Sequence, residues 1–258
     1  MLNKDFAICI HTLDYSETSQ IVTFFTRENG KISAIAKGSK RPKSSFDGPI
    51  EIFSHGGIVF SDSTEQKLLT LTELEQRPPL RGLLVNPFAL NCAMLATELL
   101  GKLTKEHDPH PQLFDSFHQF LQNISQSPTT SNQKLATMTL LILFQLSLLK
   151  EIGLQPVLDR CVNCKTKLAI RDTSDKRQAT SDELYFSSSA NGIICKDCEA
   201  NFPDKIRLSS FAARTLNNLK LLADAETKTL YEIEKILIHH FTETIGSRPK
   251  LAKYILIK

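Results

Sequence analysis

Two cysteine pairs, Cys161-Val162-Asn163-Cys164 and Cys195-Lys196-Asp197-Cys198, carry the sharpest chemistry in this sequence. The two-residue spacing lets both thiolates of a pair face one ion, and a tetrahedral zinc takes four such ligands. Thirty residues, 165–194, separate the pairs, more than the roughly 15–20 of the usual ribbon pattern. A polar insert, Arg171–Glu183, accounts for the excess, because closing a loop becomes costlier only slowly with its length. A redox role is disfavoured, since neither pair sits between a strand and a helix of a βαβ unit. Four cysteines would close the coordination sphere and leave no position for a reactive water. Cys161, Cys164, Cys195 and Cys198 are therefore expected to hold one structural Zn2+, which would make metal binding part of folding. Cys9 and Cys92 lie in apolar patterns and read as small core residues.

The second feature is charge. Between residues 27 and 43, Arg27, Lys31, Lys37, Lys40, Arg41 and Lys43 face one acid, Glu28, whereas the whole chain carries a net charge of only +3. Cations on the loop Ala36–Ser44 could contact phosphates and release counterions, and Ser39 and Ser44 could add hydrogen bonds to the same groups. A second basic stretch contains Arg248, Lys250, Lys253 and Lys258, with no acid from residue 246 onward. Phe24, Phe25 and Phe46 adjoin the first stretch and could stack on bases. Because Phe24 and Phe25 are adjacent in a strand, one should face inward and the other outward. A basic run alone more often marks a solvated loop, but a barrel able to hold single strands and a second basic stretch favour a binding role here.

Enzymatic signatures are missing. There is no phosphate-cradling G-x-x-x-x-G-K-[ST] loop, G-x-G-x-x-G turn or H-E-x-x-H helix, and no G-x-S-x-G elbow. His239-His240 are neighbours on one helix and face different ways, which disfavours a paired metal site. A binding protein is expected rather than an enzyme. The rivals are an RNA-binding barrel and zinc module acting in translation or tRNA handling, an enzyme with a dispersed site, and a structural adaptor.

The elements that must position these groups follow from patterning. Residues 1 to about 76 read as five short strands: one around Phe6–Ile10, then Gln20–Thr26, Lys31–Lys37, Pro49–Phe60 and Gln66–Leu74, with Asn29-Gly30 as a hairpin signal. Five strands in that length suggest a small closed barrel, with an OB-fold leading. After Pro78-Pro79 the period changes. Asn86-Pro87 opens one helix, a second runs from about Pro111 to Ile124, and a third from about Asn132 to Ile152 with Gly153 as its stop. Ser125–Ser131 reads as a polar loop and 159–203 as irregular. Helices resume near Ser209, and the last spans about Thr227–Ile245 before Gly246. The expected architecture is α+β and multidomain: an OB-fold barrel at 1–78, then a helical bundle at 79–258 interrupted by a four-cysteine zinc finger at 159–203.

The composition, 41% hydrophobic and 23% charged, fits a soluble globular protein. The most apolar run, Leu135–Leu149, falls short of the roughly 20 residues a bilayer requires and is expected to be a buried helix. No membrane segment or signal peptide is expected, which points to the cytoplasm.

Four passages together resemble the RecO family of bacterial DNA-repair and recombination mediators: Ala36-Lys37-Gly38-Ser39-Lys40-Arg41-Pro42-Lys43-Ser44; Leu149–Cys164; Tyr185–Cys198; and Gly246-Ser247-Arg248-Pro249-Lys250. The resemblance implies binding of single- and double-stranded DNA and annealing of complementary strands. It also implies partnership with RecR and single-stranded-DNA-binding protein, an indirect role in loading RecA, and a nucleoid-associated location. By position, Lys37, Lys40, Arg41 and Lys43 would contact DNA, and Arg248 and Lys250 would serve DNA or a protein tail. Position 39 is Ser where the family usually has a small residue, often Ala, and Leu251-Ala252 departs from its pattern.

Overall fold

The computed structural model describes residues 2–46, 48–61, 68–126, 133–168 and 183–256. The chain forms two compact units, one of residues 1–85 with 100–126 and one of residues 86–99 with 127–258.

In the first unit, β1 (Leu2–Asp14), β2 (Gln20–Thr26), β3 (Gly30–Ala36), β4 (His55–Ser61) and β5 (Leu69–Gln76) close into the expected OB-like barrel, in the order β1-β2-β3-β5-β4. Only the β3–β5 pairing is parallel. The β2–β3 turn needs glycine at position 30, where φ is +69° and a Cβ would lie 2.4 Å from the Asp108 carbonyl oxygen. β4 starts at His55 rather than near Pro49, because the preceding residues form a turn with Phe53 at a φ of 71°. Ala7, Cys9, Val22, Phe24, Ile32, Ala34 and Ala36 fill the interior.

The pairing of β1 with β2 shifts register between Cys9 and His11. This bulge reverses the strand's phase. Before it, odd-numbered Ala7 and Cys9 face the core. After it, Thr12 pairs with core-facing Val22, and Leu13 pairs with Ile21 on the outer face.

α1 (Arg81–Val85), the end of α2 (Pro87–Leu103) and α3 (Pro111–Gln126) belong to the same unit as the barrel. α3 lays its apolar stripe against the barrel wall. Phe114 meets Phe6 and Phe25 at ring-centroid distances of 6.0 and 5.9 Å, and Phe117 meets Phe25 at 6.5 Å.

The second unit is a helical bundle built on the start of α2, α4 (Gln133–Glu151), α5 (Ser210–Asn217), α6 (Thr227–Ile245) and α7 (Ala252–Ile255). The expected caps are present. Asn86 Oδ1 accepts from the amides of Phe88 and Ala89, and Ser209 Oγ accepts from that of Ala212. Gly246 ends α6 with a φ of 76°. The apolar run in α4 is a largely buried helix packed against α6. Among the described residues, no helix is long and apolar enough to cross a membrane.

The stretch expected to be irregular instead contains β6 (Leu184–Ser187) and β7 (Gly192–Cys195), joined by β8 (Ile206–Leu208) in the order β7-β6-β8. Residues 171–182 of the polar insert, and 127–131 of the expected polar loop, lie outside the described residues.

Candidate metal centre and nucleic-acid interface

The small sheet positions the cysteines. The Val157 amide donates to the Asn191 carbonyl and the Ile193 amide to the Val157 carbonyl, both at 2.9 Å. The Val162 amide donates to the Ile193 carbonyl at 2.8 Å. These bonds lay the first Cys-x-x-Cys turn beside β7, which itself ends at Cys195. A 3₁₀ turn, Lys196–Asn201, then carries Cys198 back toward the first pair. The approach depends on Gly192, where a Cβ would lie 2.4 Å from the Val157 carbonyl oxygen. Cys161, Tyr185, Ile194 and Cys198 form the small core beneath the turn.

The sulfur atoms of Cys161, Cys164, Cys195 and Cys198 all lie within 4.8 Å of one another, and those of Cys164 and Cys195 are 3.7 Å apart. Four thiolates about 2.3 Å from one tetrahedral ion would be about 3.8 Å apart, so the sequence-predicted quartet has the size of a metal site. Asn163 Nδ2 donates to Cys198 Sγ at 3.2 Å, the kind of supporting bond that tunes a thiolate ligand. Thr166, with its neighbours, draws the Cys164 thiol down to about 6, while burial pushes Cys195 up to about 12. Four sulfurs this close cannot all ionise unaided; a divalent cation among them would let each one deprotonate.

The cations at 27–43 divide into two groups. Arg27 makes a two-pronged ion pair with Asp115 of α3, Nε to Oδ1 at 2.9 Å and Nη2 to Oδ2 at 3.0 Å, and also meets Glu28. The Asp115 bonds hold the Arg27 guanidinium above its ordinary value. Lys31 Nζ donates to the carbonyls of Gly101 and Thr104 at 2.7 and 2.6 Å, and burial lowers its pKa. Both side chains fasten helical segments to the barrel and so are already engaged within the protein.

Lys40 pairs with Asp14 at 2.8 Å. Lys37, Arg41 and Lys43 are exposed and form no ion pair among the described residues. Their loop is anchored from below: the Lys40 amide donates to the Thr18 carbonyl at 3.1 Å. Ser39 is fully buried, and its hydroxyl donates to Gln20 Oε1 at 2.9 Å, the same oxygen that accepts from the Ile50 amide. Ser39 therefore fixes the loop and is withheld from phosphate. Ser44 Oγ accepts from the Phe46 amide.

Phe24, Phe25 and Phe46 are all buried, so none can serve as a base platform. Phe25 does face outward, but α3 covers it. In the second unit, Arg248 and Lys250 are exposed, while Glu98 accepts from the backbone amides of Lys250 and Leu251 at 2.8 and 3.0 Å. His240 is buried, and neither of its ring nitrogens has a partner among the described residues. The four cysteines are the one potential metal-holding cluster found among the described residues.

The family model described as Recombination protein O N terminal matches residues 1–79, and that described as Recombination protein O C terminal matches residues 85–252. The chain is similar to the DNA repair protein RecO of Bacillus pumilus, at 32% identity over 262 residues, which cover 99% of this chain and 94% of the relative. It is 28% identical to the DNA repair protein RecO of Bacillus subtilis with the same coverage. It is 30% identical to that of Listeria monocytogenes, over 98% of this chain and 94% of the relative.

Proposed function

The chain belongs to the RecO family of DNA repair proteins, and on that premise we propose that it is a non-catalytic mediator of DNA repair and recombination. It binds single- and double-stranded DNA, anneals complementary strands, and works with RecR and single-stranded-DNA-binding protein to help load RecA on the nucleoid. The functional division is a DNA-binding barrel at 1–78 and a helical partner region at 79–258, interrupted by the finger at 159–203. Zn2+ at Cys161, Cys164, Cys195 and Cys198 is structural, because a closed set of four thiolates supplies folding energy and no reactive position.

The observation that carries this reading is the loop bearing Lys37, Arg41 and Lys43, exposed on an OB-like barrel and buttressed by Ser39 and Gln20. Cations on a braced loop bind the phosphate backbone without reading sequence. Two strands held this way are screened from one another and can pair without nucleotide hydrolysis. Lys40, Arg248 and Lys250 complete the proposed contacts, while Arg27 and Lys31 are withdrawn from them. The test is annealing of complementary oligonucleotides, bare and coated with single-stranded-DNA-binding protein. Faster annealing in both settings supports the proposal. No acceleration of either, or a preference for RNA in competition, overturns it.

A further inference from the structure

With the three phenylalanines buried, the barrel needs another surface if it is to touch bases as well as phosphates. Tyr15 follows β1 at the tip of the β1–β2 turn and is 61% exposed, and Leu13, two residues before it, is 56% exposed. The bulge between Cys9 and His11 turns this side of β1 outward. Leu13 lies opposite Ile21, which lies opposite Ile35, giving an apolar row across β1, β2 and β3 on the barrel's outer face.

The Tyr15 turn is closed by its own amide donating to the Ser19 carbonyl at 3.0 Å. That turn is also joined to the basic loop. The Lys40 amide donates to the Thr18 carbonyl, the Gly38 amide to Ser19 Oγ at 3.2 Å, and Lys40 Nζ pairs with Asp14. An exposed aromatic ring is thus tied at one end of an apolar row to a loop of exposed cations. A single strand presents bases and phosphates side by side and can use both, because any base has a π face to stack. A paired duplex keeps its bases stacked inside.

We propose that Tyr15 is the base-stacking residue of this protein's strand-binding surface, with Leu13 and Ile21 as the apolar floor beside it and Lys37, Arg41 and Lys43 taking the phosphates. The inference rests on the DNA-binding reading above and adds to it a dependence on bases. Tyr15 gives the surface affinity for unpaired bases of any sequence.

The experiment compares a thymidine oligonucleotide with an abasic oligonucleotide of equal length and charge, using the full chain. Tyr15→Ala should weaken binding of the thymidine strand at least about fivefold and leave the abasic strand and the salt dependence unchanged. Tyr15→Phe should restore wild-type affinity. The chain has no tryptophan, so Tyr15→Trp introduces a single indole fluorophore that the thymidine strand should quench and the abasic strand should not. Wild-type binding to both strands that Tyr15→Ala weakens equally, or not at all, overturns the stacking role while leaving the phosphate reading intact. Failure of the wild type to bind either strand overturns both.

Discussion

Gln145 Nε2 donates to Glu234 Oε1 at 2.9 Å inside the helical bundle, and the remaining oxygens, Gln145 Oε1 and Glu234 Oε2, have no partner among the described residues. The pair joins α4 to α6, and burial raises the Glu234 carboxyl to about 7. The folded state therefore holds a proton that the unfolded chain releases near pH 4.5. This group's contribution to stability is full below pH 4.5 and falls as pH rises to 7. A shift of that size corresponds to about 3 kcal/mol. Glu234→Gln should abolish the fall and raise stability at about pH 8, as read by urea unfolding at a series of pH values.

His240 works in the opposite direction. Its buried ring packs edge-on against Phe186, at a centroid distance of 5.4 Å, and burial lowers its pKa to about 4. The folded state resists a proton that the unfolded chain accepts at 6.5, so the contribution is full above pH 6.5 and is lost as pH falls toward 4. The two groups oppose one another between pH 4.5 and 6.5. Glu234→Gln should leave stability rising with pH across that window, whereas His240→Phe should leave it falling.

The cysteine quartet predicts one zinc per chain, measured by elemental analysis of protein purified without added metal. Cys161→Ser or Cys198→Ser should abolish stoichiometric binding. Removing the metal with a chelator should unfold the small sheet, detected as loss of amide-exchange protection at β6 and β7, while the barrel strands stay protected. Gly192→Ala should weaken the same region, because its Cβ would enter the Val157 carbonyl.

Replacing Lys37, Arg41 and Lys43 together by Ala should weaken binding to single strands of every sequence. It should also reduce the slope of log affinity against log salt by about 2, roughly 0.7 for each cation removed. An unchanged slope in a salt titration would remove these residues from the interface.

Arg27→Ala should behave differently, breaking the bonds to Asp115 while leaving the salt slope of DNA binding unaltered. The expected sign is a lower midpoint of thermal unfolding, with Asp115→Ala giving no further decrease in the Arg27→Ala background.

These contrasts mark what the sequence makes legible. Cys-x-x-Cys spacing identifies the quartet because two turns of fixed geometry must meet at one ion. Asn86, Ser209 and Gly246 announce helix ends because caps are local. The fate of Arg27 and Lys31 is hidden, since Asp115, Gly101 and Thr104 are brought to them only by the tertiary fold. The role of Ser39 is hidden for the same reason, its partner Gln20 being on a different strand of the barrel. Tyr15 gives no signal because its exposure follows from the bulge, which a strict alternation along β1 conceals.

The extra residue in β1 also lets the strand absorb a change of length at that point. Deleting Ile10 would bring the two halves of the strand into one phase. Thr12 would still meet Val22 inside and Leu13 would still meet Ile21 outside, because the residue removed is the one with no partner on β2. A single-codon deletion would thus straighten the strand without exchanging its faces, whereas a slip that paired Ile10 with Thr23 would turn the strand's far half inside out.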